Sequence, residues 1–396
     1  MVSVAEILFC LLFFWVLYTY VLYGLVLWVL VFFKKRKHIK HKDCESKDLL
    51  PFLPDITIVI AAYNEAEYIV QKIDNTLQLE YPPEKIQIFI VTDGSTDETP
   101  KLVTNHTAAL RLFHLPERKG KIAAVHRVMA EVSTPVTIFT DANTMLNPAA
   151  AQKIVRHYRQ PQVGAVAGEK RIAVESKDAA NAAGEGIYWK YEAKLKQWDS
   201  DLHSVVGAAG ELFSIRTELY EAVPSDTIIE DFYMTLRIAQ RGYRVVYEPE
   251  AFALEGPSAS VEEELKRKIR IAAGGIQAIS RLLPLLNIFK YGVLSFQYIS
   301  HRVLRWTITP LSLPLLMLLN LYLAIYGPPF YQYLLAAQCL FYAMALVGYL
   351  LEKKRVKIKI LFVPYYFCMM NYAVYKGMLR FWAGQQSVVW EKAKRA

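Results

Sequence analysis

The chain has 396 residues, a formal net charge of +9 and 54% hydrophobic residues, enough for one sizeable domain with apolar sequence to spare. Its four cysteines, Cys10, Cys44, Cys339 and Cys368, make no CxxC pair, which argues against a disulfide framework and a cysteine zinc site. The excess positive charge falls in clusters beside apolar segments and calls for no nucleic-acid partner.

From Ile7 to Phe33 there is no charge. That is more than the roughly 20 residues that span a bilayer and longer than the apolar core of a signal peptide, about 7–15 residues. A retained transmembrane helix is predicted over residues 1–33. The cluster KKRKHIKHK at 34–42 follows at once, and cations beside a span mark its cytoplasmic side. A basic cytosolic linker over 34–54 is therefore expected. Near the other end, Trp306 to Tyr326 and Pro329 to Leu350 read as two spans joined by an uncharged GPP turn and followed by EKKRVKIK at 352–359, again a cytoplasmic signal. A third stretch, Ile360 to Trp382, is interrupted by Lys376 and Arg380. This leaves two or three spans over 306–382, ahead of a basic tail at 383–396. Residues 258–305 mix apolar and cationic residues and read as interfacial amphipathic helices on membrane lipid. Arg302 to Trp306, RVLRW, is expected to anchor at that interface.

Between these ends, over 55–257, short β-branched runs alternate with longer helical stretches. ITIVIA (56–61), IQIFIVT (86–92), VTIFT (136–140) and VGAVAG (163–168) are continuous apolar runs, as expected of strands buried on both faces. The segments at 64–79, 96–110 and 120–132 have helical period. The alternation predicts an α/β domain with a mostly parallel sheet and helices on both faces. Ligands of such sheets bind beyond the carboxyl ends of the strands. There the sequence collects Tyr63, Asn64 and Glu65 after the first run, DGSTD (93–97) after the second, and Asp141 and Asn143 after the third. Each group alone suits a turn or a helix cap. Together they suggest a ligand that offers hydroxyl or N–H donors, or Mg²⁺ or Mn²⁺, which take hard oxygen ligands. ERKGKIAAV (117–125) supplies the basic counterpart at a helix start, where anions are favoured. No P-loop or dinucleotide fingerprint stands in the right context.

AAYNEAEYI, VTDGSTDET, RKGKIAAV, TDAN and IIEDFYMTLRIAQRGYRVVYEP, in this order, resemble the motifs of the membrane-bound family 2 glycosyltransferases, among them cellulose, hyaluronan and poly-N-acetylglucosamine synthases. The resemblance implies a GT-A nucleotide-sugar-binding domain between transmembrane helices, at the cytosolic face of the plasma (bacterial inner) membrane. A UDP-sugar donor, a glycan or lipid acceptor and Mg²⁺ or Mn²⁺ are implied with it. Carried over by position, Ala62, Tyr63, Glu65, Asp93, Ser95 and Lys121 contact the nucleotide. Asp141 and Asn143 hold the metal, Asp141 also touching the donor. Asp231 is the general base of an inverting transfer, with Glu230 and Gly210 near the acceptor.

The chain also departs from the pattern. The synthases' interfacial Q-x-x-R-W aligns with RKIRI at 267–271, so Arg267 stands for the glutamine, Arg270 matches the arginine and Ile271 replaces the tryptophan. Arg267 and Arg270 lie three residues apart, on one helical face, and are expected to clamp a diphosphate. Tyr188, Trp189, Tyr191 and Trp198 are alternative stacking residues. Asn143 replaces an acid, so metal binding should depend on Asp141 and the donor's diphosphate. The competing expectation is a catalytically silent GT-A-like scaffold or nucleotide-sugar sensor.

Overall fold

The structure, a computed structural model, describes residues 2–39, 52–106, 109–173, 183–257, 260–353 and 358–384. Most of the basic linker, the cations at 354–357 and the tail from 385 on lie outside the described residues. The N-terminal apolar run is helical throughout: α1 (Val2–Leu17), a π-helical turn (Tyr18–Leu22) and α2 (Tyr23–Ile39).

Among the described residues, eight strands form one sheet: β1 (Ile56–Ala62), β2 (Ile86–Asp93), β3 (Leu110–Leu115), β4 (Val136–Asp141), β5 (Thr144–Leu146), β6 (Val163–Ile172), β7 (Leu212–Arg216) and β8 (Arg244–Glu255). Their order is β3-β2-β1-β4-β7-β6-β8-β5. β1 pairs in parallel with both β2 and β4, β2 with β3, and β6 with β8. β7 runs antiparallel between β4 and β6, and β5 antiparallel to β8 at the far edge. All seven residues of β1 are buried. Val59 and Ala61 face one core while Ile56, Ile58 and Ile60 face the other, the reason the strand reads as an unbroken apolar run. After β1 the chain builds outward through β2 and β3, then returns to lay β4 on the other side of β1. Such a reversal is where α/β sheets commonly take ligands, at the carboxyl ends of the strands.

Helices α3 (Ile69–Leu77), α4 (Thr99–His106), α5 (Lys121–Met129) and α6 (Ala150–Val155) connect the strands. The helix expected over 96–110 is shorter than its period suggested, because Leu110–Leu115 is the edge strand β3. Its exposed Arg111 and His114 hid it from a reading tuned to fully buried strands. Three longer helices complete the domain: α7 (Ala183–Leu202), α8 (Glu230–Gln240) and α9 (Val261–Arg281). α9 begins at Ser260, whose hydroxyl accepts from the Glu263 N–H with three acids in the first turn, a capped start that favours the helix dipole.

After the short helices α10 (Ile288–Tyr291), α11 (Val293–Tyr298) and α12 (Leu304–Trp306) come α13 (Ile308–Tyr326), α14 (Phe330–Lys353) and α15 (Lys359–Trp382). Three described helical segments, Ser3–Arg36, Ile308–Tyr326 and Phe330–Glu352, are long and apolar enough to cross a membrane. The first returning one starts at Ile308 rather than Trp306, because Thr307 breaks the helix (φ −132°, ψ −93°). The ring of Trp306, expected to anchor at the interface, packs on Phe232 and over Gly275. α15 lies along α9, where Gly377 meets Ala272. Tyr191 and Trp198 pack against Tyr23 and Leu27 of α2, and the side chains of Tyr188 and Trp189 lie outside the described residues.

Candidate active site

The three strand-end loops are tied to one another. Asn64 adopts positive φ (53°), a conformation that Asn tolerates better than most residues. From there its Oδ1 accepts from the Thr96 N–H (2.8 Å) and its own N–H donates to Ser95 Oγ (3.2 Å). The Glu65 N–H donates to Thr99 Oγ1 (2.9 Å), and Glu65 itself is buried. Asp93, at the end of β2, accepts from the backbone N–H groups of Lys119 (3.0 and 3.1 Å) and Gly120 (2.6 Å). Those three bonds leave its carboxylate one acceptor direction of the roughly four it has. Arg118 stacks over the Tyr63 ring at 3.7 Å. Ala62, Tyr63, Asp93, Arg118, Gly120 and Lys121 line one small pocket.

Lys121 opens α5 and joins two motifs far apart in sequence. Its Nζ lies 2.9 Å from Asp141 Oδ1 and 2.8 Å from Glu230 Oε1. Burial works against its charge, yet Asp141 and Glu230 together hold its pKa well above that of an ordinary lysine. Burial likewise opposes ionisation of Glu230, but Lys121, and more weakly Arg270, keep that carboxyl low. Asp231 takes the opposite course. Burial first, then the neighbouring Glu230, push its pKa up to about 7, with Lys121 opposing. Adjacent acids in different states, one ionised and one poised near neutrality, are an arrangement suited to acid–base work.

The loop before β7 presses against this pair. Gly207 has φ +83°, and a Cβ there would run into the Phe232 ring at 2.0 Å. The Ala208 N–H donates to Thr235 Oγ1 (3.2 Å), fixing the loop on α8. A Cβ at Gly210 would stand 3.5 Å from both Asp231 Oδ2 and Lys121 Nζ. The bare glycine therefore marks a point next to both groups and leaves the approach to Asp231 open. Beyond it, Glu211 pairs with Lys170 (2.5 Å), which also pairs with Glu255, and the Asn143 Nδ2 donates to Glu255 Oε1 (3.5 Å). Arg267 donates to Glu264 (3.0 and 2.8 Å) and lies 3.8 Å from Glu211.

Asp141, Lys121, Glu230, Asp231 and Gly210 thus come together, while Ala62, Tyr63 and Asp93 line the adjoining pocket. Arg267 faces Glu264 and Glu211, and Arg270 acts on Glu230. The sequence reading takes the turn at 207–216 to approach the acceptor, but gives no role to Arg118, to Lys170 and Glu255, the partners around Glu211, or to Lys72. Lys72 had a visible signal, since it stands with Ile69, Ile73 and Thr76 on the buried stripe of α3, where a cation needs a reason.

Among the described residues, no group of three or more His, Cys, Asp or Glu side chains is arranged to hold a metal ion by itself. The half-buried Asp141 carboxylate and the Asn143 amide oxygen are nevertheless hard oxygen donors, the kind Mg²⁺ and Mn²⁺ take. They fit a divalent ion whose remaining ligands come from a diphosphate.

The fold is GT-A-like, and residues 57–223 match the family described as Glycosyl transferase family 2. Among its relatives, the poly-beta-1,6-N-acetyl-D-glucosamine synthase of Staphylococcus aureus (strain COL) is 27% identical over 239 residues, covering 58% of this chain and 56% of that protein. The Staphylococcus epidermidis protein of the same name is 24% identical over 238 residues, covering 57% and 56%. The chain therefore spans about half the length of the curated relatives it matches. The solved structure of the mannosyltransferase PcManGT from Pyrobaculum calidifontis, in complex with GDP-Man and Mn²⁺, superposes with a TM-score of 0.68 at 22% identity, over 97% of this chain and 99% of that one. That likeness establishes the common fold.

Proposed function

We propose that the protein is an inverting glycosyltransferase. It transfers a sugar from a UDP-sugar to a glycan or lipid-linked acceptor at the membrane face, in polysaccharide or glycolipid synthesis. The observation that carries this reading is the single point, marked by Gly210, that lies beside both Asp231 Oδ2 and Lys121 Nζ. It brings a poised carboxylate next to the cation that holds Asp141. The relatives named as N-acetylglucosamine polymer synthases support a polysaccharide product.

On this reading Asp231 takes the proton of the acceptor hydroxyl as the acceptor oxygen bonds to the anomeric carbon. The bond from that carbon to the diphosphate breaks, and the electron pair leaves with the diphosphate. Attack from the face opposite the leaving group inverts the anomeric centre. Lys121 and Arg270 supply positive charge beside the negative charge that develops. Tyr63, Asp93 and the pocket around Gly120 hold the nucleoside. Asp141 and Asn143 would hold Mg²⁺ or Mn²⁺, which when bound offsets diphosphate charge. The domain faces the cytosol, with the long apolar helices in the bilayer.

The test is a screen of UDP- and GDP-sugars for metal-stimulated nucleotide release by the detergent-solubilised protein, wild type beside Asp231→Asn. Release from a UDP-sugar by wild type, lost in the variant, is expected. Undiminished transfer by Asp231→Asn would remove the proposed base, and no transfer from any nucleotide sugar would favour the silent scaffold or sensor.

A further inference from the structure

Lys72 is fully buried on α3, behind the sheet edge that bears Asp141. Its Nζ donates to Thr140 Oγ1 (2.9 Å) and to the Thr144 carbonyl (2.6 Å). These two acceptors flank the Asp141–Asn143 turn on either side. Thr144 Oγ1 donates to the Asp141 carbonyl (3.0 Å), and Thr140 Oγ1 donates to the Glu211 carbonyl (3.0 Å), one residue beyond Gly210. One ammonium therefore joins both arms of the Asp141–Asn143 turn and, through Thr140, the Gly210–Glu211 loop. Burying a lysine is costly unless its ammonium is hydrogen-bonded. Packing alone gives no reason for a cation here. The bonds need only two N–H donors, which the amine offers in either protonation state.

We propose that Lys72 is a positioning residue that sets the Asp141–Asn143 turn and the Gly210–Glu211 loop in register with each other. It does so from behind the sheet, without touching substrate. The inference rests on the proposed transfer only for its kinetic readout, because the positioning itself can be measured on the protein alone.

The experiment compares wild type with Lys72→Met and Thr140→Val in the full chain in detergent. Lys72→Met leaves the buried Thr144 carbonyl without this donor and is expected to stay folded with a modestly lowered thermal midpoint. Backbone hydrogen exchange should accelerate at least ~10-fold in peptides covering 141–146 and 209–213 and stay unchanged in β1 and β2. With an active donor, KM for the donor and the Mn²⁺ concentration for half-activation should rise ~10-fold or more, since small misplacements of such groups are costly. Thr140→Val should reproduce the second-loop effect. If Lys72→Met unfolds the protein, Thr140→Val alone decides, by exchange in 209–213. Unchanged exchange in both segments, or a KM and metal dependence identical to wild type, would overturn the proposal. Exchange that changes as expected in a protein with no transfer from any donor would overturn the proposed function and leave Lys72's role standing.

Discussion

As the proposed general base, Asp231 would meet two opposed demands, because the burial that raises its pKa also burdens the fold. Its carboxyl holds its proton up to about pH 7, through burial and the adjacent Glu230, whereas in an unfolded chain it ionises near pH ~4. The folded state thus binds more protons between those values, and stability falls as pH rises through that window. Asp231→Asn should therefore raise the thermal midpoint at pH 8 while lowering kcat by about 10²–10⁴-fold, the usual contribution of a general base. In wild type, kcat/KM should climb with pH and level off above about 7. The charged groups facing Asp231 are Glu230, Lys121 and Glu211, so Lys121→Met should shift this profile to higher pH. Gly210→Val offers a complementary probe: its Cβ meets only ordinary contacts at 3.5 Å, so the fold should survive while the acceptor KM rises. At Asp141, calorimetry should find weak Mn²⁺ binding without nucleotide, strengthened by UDP. Tight binding to the free protein would contradict a site completed by the donor's diphosphate.

At the scale of elements, α8 is clamped from two sides. The Phe232 ring is pressed by Gly207 and edged by the Trp306 ring at 5.3 Å, and Trp306 in turn lies over Gly275 of α9. A Cβ at Gly275 would come within 2.4 Å of the Trp306 ring. Gly275→Val should destabilise by roughly 1–3 kcal/mol, the usual cost of overpacking, read from thermal unfolding, and should lower kcat by tilting Asp231. The GG pair in AAGG was legible as a motif, but the tryptophan it receives comes from a helix some thirty residues downstream. A pattern of adjacent residues cannot express that pairing. For the same reason Arg267 and Arg270, on one helical face as their spacing implied, meet different partners. Glu264 comes from Arg267's own helix and Glu211 from a distant loop.

Across the whole molecule, the N-terminal helix is bound to the α/β domain through buried polar and charged groups. Tyr23 Oη donates to Asp199 Oδ1 (2.5 Å), and His301 bridges Asp199 (2.5 Å) and Glu192 (3.1 Å). Glu192 also takes Arg302 (3.1 Å) and Arg305 (2.8 Å), and Arg302 Nε reaches the Val206 carbonyl beside Gly207. Lys34 donates to the carbonyls of Asp201 and Leu202, and Lys35 pairs with Asp201. The first cations of the basic cluster are thus docking groups. Glu192→Ala leaves two arginines and a histidine without their carboxylate and should cost about 3–5 kcal/mol, seen as a lowered unfolding midpoint in detergent.

What the sequence determined by itself was set by local period and strand-end chemistry. Unbroken apolar runs specified the parallel core, long uncharged stretches specified the candidate spans, and turn residues after β1, β2 and β4 specified the rim that gathers the candidate site. Only the tertiary structure decided which charges meet: Lys121 between Asp141 and Glu230, Gly210 beside Asp231, Trp306 on Gly275, and Lys72 behind the Asp141 turn. Each joins segments tens to hundreds of residues apart, so each depends on sheet order and helix packing, which no local pattern encodes.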